Sequence, residues 1–272
     1  MSPADAVTFS SAASSFDAFA ESYDLLFTDT ITGRAQRHQV WAHLLLVFPP
    51  GGRILELNCG TGEDARFLAR HGRSVVACDA SAAMLDVARN HTQETGVARV
   101  QYLHVANEDL RVLAGSGLFH GAFSNFSGLN CVSDLAQVAR DLARLVIVGG
   151  KVLLCLWGRV CISEVLWYLA HGQPRKATRR FTGRATANLG GKTIRVFYPT
   201  LREVQRSFSP WFRLRSRRAI GLFVPPSYAE PVIRNHRKLL ERLEWLDSVC
   251  GAWPIFRSAG DHMLLEFTRC NS

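Results

Sequence analysis

Ile54-Leu55-Glu56-Leu57-Asn58-Cys59-Gly60-Thr61-Gly62 is the stretch that decides the fold. Arg53 to Leu57 is short and apolar, as a buried strand is. The glycines that follow tolerate backbone dihedrals closed to other residues, and they let the backbone come close to a ligand. Glu63 to His71 has helical spacing, so the segment reads as strand, glycine turn, helix.

The same rhythm continues on the carboxyl side. Ser74 to Cys78 reads as a strand, and Ser81 to His91 as a helix with Ser81 as its N-cap. Val100 to Val105 and Gly121 to Ser124 are further strands. Ser133 to Leu145 is a helix with Ser133 placed as its cap, and Gly149-Gly150 turns the chain into the hydrophobic strand Lys151 to Trp157. Strands alternating with helices at this spacing mean a parallel sheet covered on both faces. On the amino side, Phe16, Phe19, Tyr23 and Leu26 recur at three and four, which predicts a short amphipathic helix. A second helix runs from about Gly33 to Phe48, where Pro49-Pro50-Gly51-Gly52 ends it.

An acid followed four residues later by G-x-G resembles the first signature of class I S-adenosylmethionine-dependent methyltransferases. The resemblance continues at Ala77-Cys78-Asp79-Ala80-Ser81 and Tyr102-Leu103-His104-Val105-Ala106-Asn107-Glu108. It ends with Phe119 to Phe126 and Arg144 to Lys151, and so covers about residues 16 to 157. It implies a Rossmann-like α/β fold, doubly wound, with a mostly parallel seven-stranded sheet and helices on both faces. It also implies S-adenosylmethionine as cofactor, held by Tyr23, Glu56, Asn58, Gly60, Gly62, Asp79, Ala80, Asn107, Glu108 and Ser124. Glu56 would reach the cationic amino end and Asp79 the ribose hydroxyls. Ala106 stands where the family has an acid, so either Asn107 or Glu108 would take over the adenine amino group or backbone groups alone would read it. Tyr23 would cover the methionine end; a plain buried stripe of Phe16, Phe19 and Tyr23 is the competing reading.

Gly60-Thr61-Gly62-Glu63-Asp64-Ala65 also fits the G-x-G-x-x-A of nicotinamide-dinucleotide sites. Glu63 and Asp64 count against it. Acids in the first helical turn repel a pyrophosphate but not a sulfonium ligand. Glu56 also has no role in the dinucleotide pattern.

Past Trp157 the rhythm changes. Glu164 to His171 is helical, Gln173 to Gly191 is polar and basic, and Thr193 to Tyr198 alternates as a strand. Thr200 and Glu203 form a capping box, Phe212 to Arg218 alternates, a helix spans about Glu230 to Val249, and His262 to Thr268 is a final strand. The expected organisation is an N-terminal helical cap (1–48), the cofactor-binding core (49–157), an acceptor region (158–250) and a closing strand of the core sheet (251–272).

The 272 residues carry a net charge of +9, concentrated between Arg175 and Arg218, where Glu203 is the only acid. Such a field attracts an anionic or phosphorylated small-molecule acceptor; nucleic acid is the less favoured partner. Ser124-Asn125-Phe126-Ser127 differs from the N-P-P-[YF] run of base-modifying enzymes. The readings carried alongside a small-molecule methyltransferase are an RNA or protein methyltransferase, a non-catalytic binder of the same cofactor, and a nicotinamide-dependent reductase. Seven scattered cysteines without a C-x-x-C pair read as free thiols in the reducing cytoplasm. No apolar run reaches membrane-spanning length. No histidine or cysteine spacing argues for a metal. Asn125, at the end of the fourth strand, and Tyr198 are the candidate catalytic groups, with Asn130 and Tyr228 behind them. Among the histidines, His120 falls at the wrong end of the sheet, and His262 reads as part of a surface turn beside Asp261.

Overall fold

The computed structural model describes residues 12–189 and 192–271. Seven strands form one sheet in the order β3-β2-β1-β4-β5-β9-β8. In chain order these are β1 (Arg53–Leu57), β2 (Ser74–Asp79), β3 (Val100–His104), β4 (Phe119–Ser124), β5 (Val146–Trp157), β8 (Phe212–Ile220) and β9 (His262–Arg269). The strands from β3 to β5 are parallel, and β9 runs antiparallel between β5 and β8. Strands β6 (Arg184–Leu189) and β7 (Lys192–Phe197) form a separate antiparallel hairpin.

The alternation of side chains across the pleat feeds two cores. Leu55, Leu57, Val152, Leu154 and Leu156 face one side, against the helices Leu135–Leu145 and Leu201–Phe208. Ile54, Leu153 and Cys155 face the other, against Ile31–Val47 and Glu63–Arg70. Each fully buried leucine, isoleucine or phenylalanine stabilises the fold by about 1.5–3 kcal/mol relative to exposure. Both faces are therefore needed, and removing either helical layer would leave half the sheet wet.

Several local expectations are corrected. Asp134, not Ser133, caps the helix before β5; its carboxylate accepts from the Ala136 and Gln137 amides at 2.9 and 3.0 Å. Gly149 and Gly150 do not precede β5 but lie within it. The register with β4 jumps there, and Gly149 takes the left-handed φ of +81° that a bulge requires. The helix expected from Glu230 to Val249 is broken: Glu230–Ile233 and Arg237–Cys250 are separate. The basic stretch after Gln173 includes the strand β6. The N-terminal stripe forms two short helices, Ala12–Asp17 and Ala20–Tyr23, and a π turn, Asp24–Thr28. Expectations falling on residues 1–11, 190, 191 and 272 lie outside the described residues. The predicted caps at Ser81 and Thr200 are present, the second as a full capping box. Among the described residues, no helix is long and apolar enough to cross a membrane.

Candidate functional site

The carboxyl ends of β1, β2 and β4 surround a cavity of about 380 Å³, with Gly60, Asp79, Ala106 and Asn125 in its wall. This is where open α/β sheets bind ligands. Asp79 ends β2 and is fixed by backbone donors: the Gly60 amide at 2.8 Å on one oxygen and the Ser81 amide at 2.9 Å on the other. Burial raises its carboxyl pKa, against the pull of those amides. Glu56, in β1, is buried, and one of its carboxylate oxygens has no hydrogen-bond partner. Burial, reinforced by Asp64 and Asp79, pushes this carboxyl well above the usual carboxylate range. Asp79 stands in the cavity wall, whereas Glu56 and Ser124, expected there, do not line it. A carboxylate in that wall, with its oxygens held by backbone amides, is compatible with the hydroxyl-bearing ribose of S-adenosylmethionine.

The other wall is Ala80, Met84 and the segment Ala106-Asn107-Glu108, with Val132 opposite. The Asn107 amide donates to Asn58 Oδ1, and Asn58 Nδ2 donates to Ser124 Oγ at 2.5 Å. Asn58 holds a left-handed φ of +51°, so this chain of side chains is built on a strained turn. Gly62 plays a different part from the one expected. It is not in the cavity wall; a Cβ there would meet Tyr102 Oη at 2.3 Å and Ala88 Cβ at 3.0 Å, and its φ is +75°. Gly62 lets Tyr102 pack beneath the turn.

The N-terminal helices are pinned over this cavity. Ser81 Oγ donates to Asp17 at 2.6 Å, and Thr61 Oγ1 donates to Asp24 at 2.7 Å. Phe16 and Tyr23 therefore sit in its wall. Asp64 is the hub behind them. Its Oδ1 accepts from Arg37 and from Trp41 Nε1, both at 2.6 Å, and its Oδ2 accepts from Asn125 Nδ2 at 2.8 Å.

A second cavity, of about 220 Å³, adjoins the first; Phe16, Tyr23, Phe126, Gly128 and Cys131 line both. Phe126 takes a left-handed φ of +44°, which sets its ring between the two. The second cavity is largely apolar: Phe27, Trp157, Ile194 and Val196, with Gln36, Arg37, Ser127, Ser227, Asp261 and His262 among its polar members. The β6–β7 hairpin supplies part of this wall.

The expected acceptor groups fare unequally. Asn125 lies in the first cavity, but its amide is engaged at both ends, by Asp64 and by the Phe126 amide at 2.9 Å. Tyr198 lines a different cavity, with Arg159 and Glu203; its hydroxyl is held up by burial, and Arg180 sits over its ring. Asn130 is tied to the backbone of Trp157 and Phe197. Tyr228 Oη lies 3.4 Å from Glu164. His120 is exposed in β4 against the Arg53 amide. His262 is no surface residue: it is 5% exposed and lines the second cavity. Sequence reasoning also missed Arg37, Asp64 and Trp157; Phe126, at the end of the segment expected over the cofactor, does line the first cavity. The acid in the first helical turn was the one available signal for Asp64.

The arginine run is partly internal. Arg180 is buried, bonded to Glu164 at 2.5 Å and to Asp261 at 2.7 Å, and Arg179 makes a two-pronged pair with Glu164 at 3.0 Å. Arg175, Arg184, Arg213 and Arg215 remain exposed.

The methyltransferase-domain family matches residues 54–150. A demethylmenaquinone methyltransferase of Thermobifida fusca is 32% identical over 154 residues, 56% of this chain and 64% of the relative, so the chain spans less than two thirds of that protein. A 2-phytyl-1,4-naphtoquinone methyltransferase of Thermosynechococcus vestitus is 32% identical over 164 residues, 57% of this chain and 69% of the relative. A tRNA 5-carboxymethoxyuridine methyltransferase of Escherichia coli is 27% identical over 218 residues, 69% of this chain and 81% of the relative. In fold, an S-adenosylmethionine-dependent methyltransferase from Mesorhizobium loti superposes with a TM-score of 0.53 at 18% identity, covering 85% of this chain and 98% of its own. By its sheet order, the Asp79 carboxylate in the cavity wall and these matches, the chain belongs to the class I S-adenosylmethionine-dependent methyltransferases, and S-adenosylmethionine is its cofactor.

Proposed function

We propose that this chain transfers the methyl group of S-adenosylmethionine to an uncharged, ring-bearing small molecule seated in the second cavity. The observation that carries the reading is that this cavity is apolar and meets the cofactor cavity at the Phe126 ring. Aromatic and aliphatic walls with a few polar groups suit a flat apolar ligand. Relatives that act on naphthoquinones point the same way.

When bound, the cofactor supplies a sulfonium-bound methyl group. The chain's share is positioning and exclusion of water. Asp79 holds the ribose, Glu56 reaches the amino end through water from outside the wall, Asn107 and Glu108 border the adenine, and Asn58 and Ser124 brace that side. Asn125 acts through Asp64, fixing the Phe126 turn rather than touching the acceptor. In this division residues 1–48 cap the cofactor, 49–157 bind it, 158–250 build the acceptor wall, and 251–272 add the last strand. Buried free thiols suit a reducing compartment such as the cytoplasm.

An anionic or phosphorylated acceptor has weaker support, because Arg179 and Arg180 are paired with Glu164 and Asp261. The exposed arginines keep an RNA reading alongside, favoured by the tRNA-modifying relative. Radiolabelled methyl transfer from S-adenosylmethionine to 2-methyl-1,4-naphthohydroquinone and to bulk tRNA separates the two. Label entering the extracted quinol supports the proposal; label entering tRNA alone would replace it.

A further inference from the structure

Resting on the reading of the second cavity as the acceptor site, we infer that His262 is its specificity-determining group: the ring nitrogen Nε2 accepts a hydrogen bond from a hydroxyl on the acceptor ring. Arg180 holds Asp261 Oδ1 at 2.7 Å, and the Asp261 backbone carbonyl accepts from the same guanidinium at 2.9 Å. The other carboxylate oxygen, Oδ2, lies 3.4 Å from His262 Nδ1. Nδ1 is sealed from solvent and has no hydrogen-bond partner, so Asp261 is the acceptor it can reach. A carboxylate in that place keeps the proton on Nδ1 and leaves Nε2 as an acceptor. Among the described residues no hydrogen bond reaches Nε2, and His262 belongs to the wall of the cavity.

Burial lowers the pKa of His262 to about 4; Asp261 works against that shift, and Arg180 adds to it. The ring is therefore neutral at ordinary pH. Its faces are closed by apolar neighbours: the Phe126 ring meets it edge-on at 5.3 Å, and the Trp157 ring lies at 5.9 Å. Phe126 is also the wall of the cofactor cavity, so a hydroxyl held by His262 stands one ring away from the cofactor. A neutral imidazole in an apolar wall discriminates by hydrogen bonding. A ligand with a donor satisfies it, and one without leaves it unpaired.

The test titrates the full chain, saturated with S-adenosylhomocysteine, with 1-naphthol and with 1-methylnaphthalene. The two have the same shape, but only the first has a donor. We expect the ratio of the two dissociation constants to favour 1-naphthol, and that preference to fall about tenfold in His262→Leu. His262→Gln, which retains an acceptor, should recover part of it. Unchanged affinity for S-adenosylhomocysteine in both variants reports that they are folded. A ratio that His262→Leu leaves unchanged within about twofold overturns the inference while leaving the apolar acceptor cavity standing. If neither naphthalene binds the wild-type chain, the reading of the cavity fails and the inference with it.

Discussion

Asn125 Nδ2 donates to Asp64 Oδ2 at 2.8 Å, joining the end of β4 to the helix that follows the glycine turn. The bond is buried, and it orders two things together. Asp64 is the anchor for Arg37 and Trp41 of the long N-terminal helix, and Asn125 precedes the left-handed Phe126 that separates the two cavities.

Asp64→Ala should therefore be one of the costliest single substitutions. It leaves the buried Arg37 guanidinium without its carboxylate, and Trp41 Nε1 and Asn125 Nδ2 without an acceptor. A loss of about 3–5 kcal/mol follows for an uncompensated buried charge. Asn125→Ala should cost about 1–3 kcal/mol, the penalty for one unsatisfied polar partner. Urea unfolding of the three proteins measures both.

Gly62→Ala tests whether that glycine serves the packing or the ligand. The new Cβ would collide with Tyr102 Oη and sit at a left-handed φ. We expect a loss of about 1–3 kcal/mol from overpacking. Removing the colliding oxygen in the double variant with Tyr102→Phe should recover part of it. A thermal melt reads both, and cofactor affinity should change little once the double variant is folded.

The stretch from Glu56 to Gly62 carried the fold class because strand, turn and helix repeat at a spacing only a parallel sheet accommodates. On the cofactor side Asp79 was placed at its strand end by its own neighbours in sequence, and the structure puts it in the cavity wall, while Glu56 lies outside that wall. The acceptor side was not legible. His262 reaches the second cavity only because β9 inserts between β5 and β8, and no local pattern announces that insertion. Tyr198 looked suitable beside a helix cap, but its side chain packs under Arg180. The arginine run read as a surface field because Glu164 and Asp261, the partners of Arg180, lie 16 and 81 residues away.

His262 should leave a mark on stability against pH. In the unfolded chain the imidazole titrates near its ordinary value of 6.5, and in the folded chain burial brings it down to about 4. The unfolded state therefore binds the proton first as pH falls, so the folded chain loses up to about 3 kcal/mol between pH 6.5 and 4. Glu56 and Asp79, whose carboxyls are raised by burial, act in the opposite sense. The comparison of wild type with His262→Leu by urea unfolding at pH 7 and pH 5 isolates the histidine. The variant should show the smaller loss.

Glu56→Gln keeps the shape of the side chain and removes a buried carboxyl. Folding should be unharmed or slightly favoured, since the buried acid is costly to ionise. Affinity for S-adenosylmethionine should fall by about tenfold or more, the worth of a hydrogen bond to a charged group.

Cofactor binding in the first cavity is what every role given to Asp79 and its neighbours depends on. Isothermal titration of the full chain with S-adenosylhomocysteine, beside Asp79→Ala, tests this most directly. We predict saturable binding at one site per chain in the wild type, weakened at least about tenfold in the variant, with both proteins folded by circular dichroism. Binding that Asp79→Ala leaves untouched, or no binding by the folded wild-type chain, would contradict it.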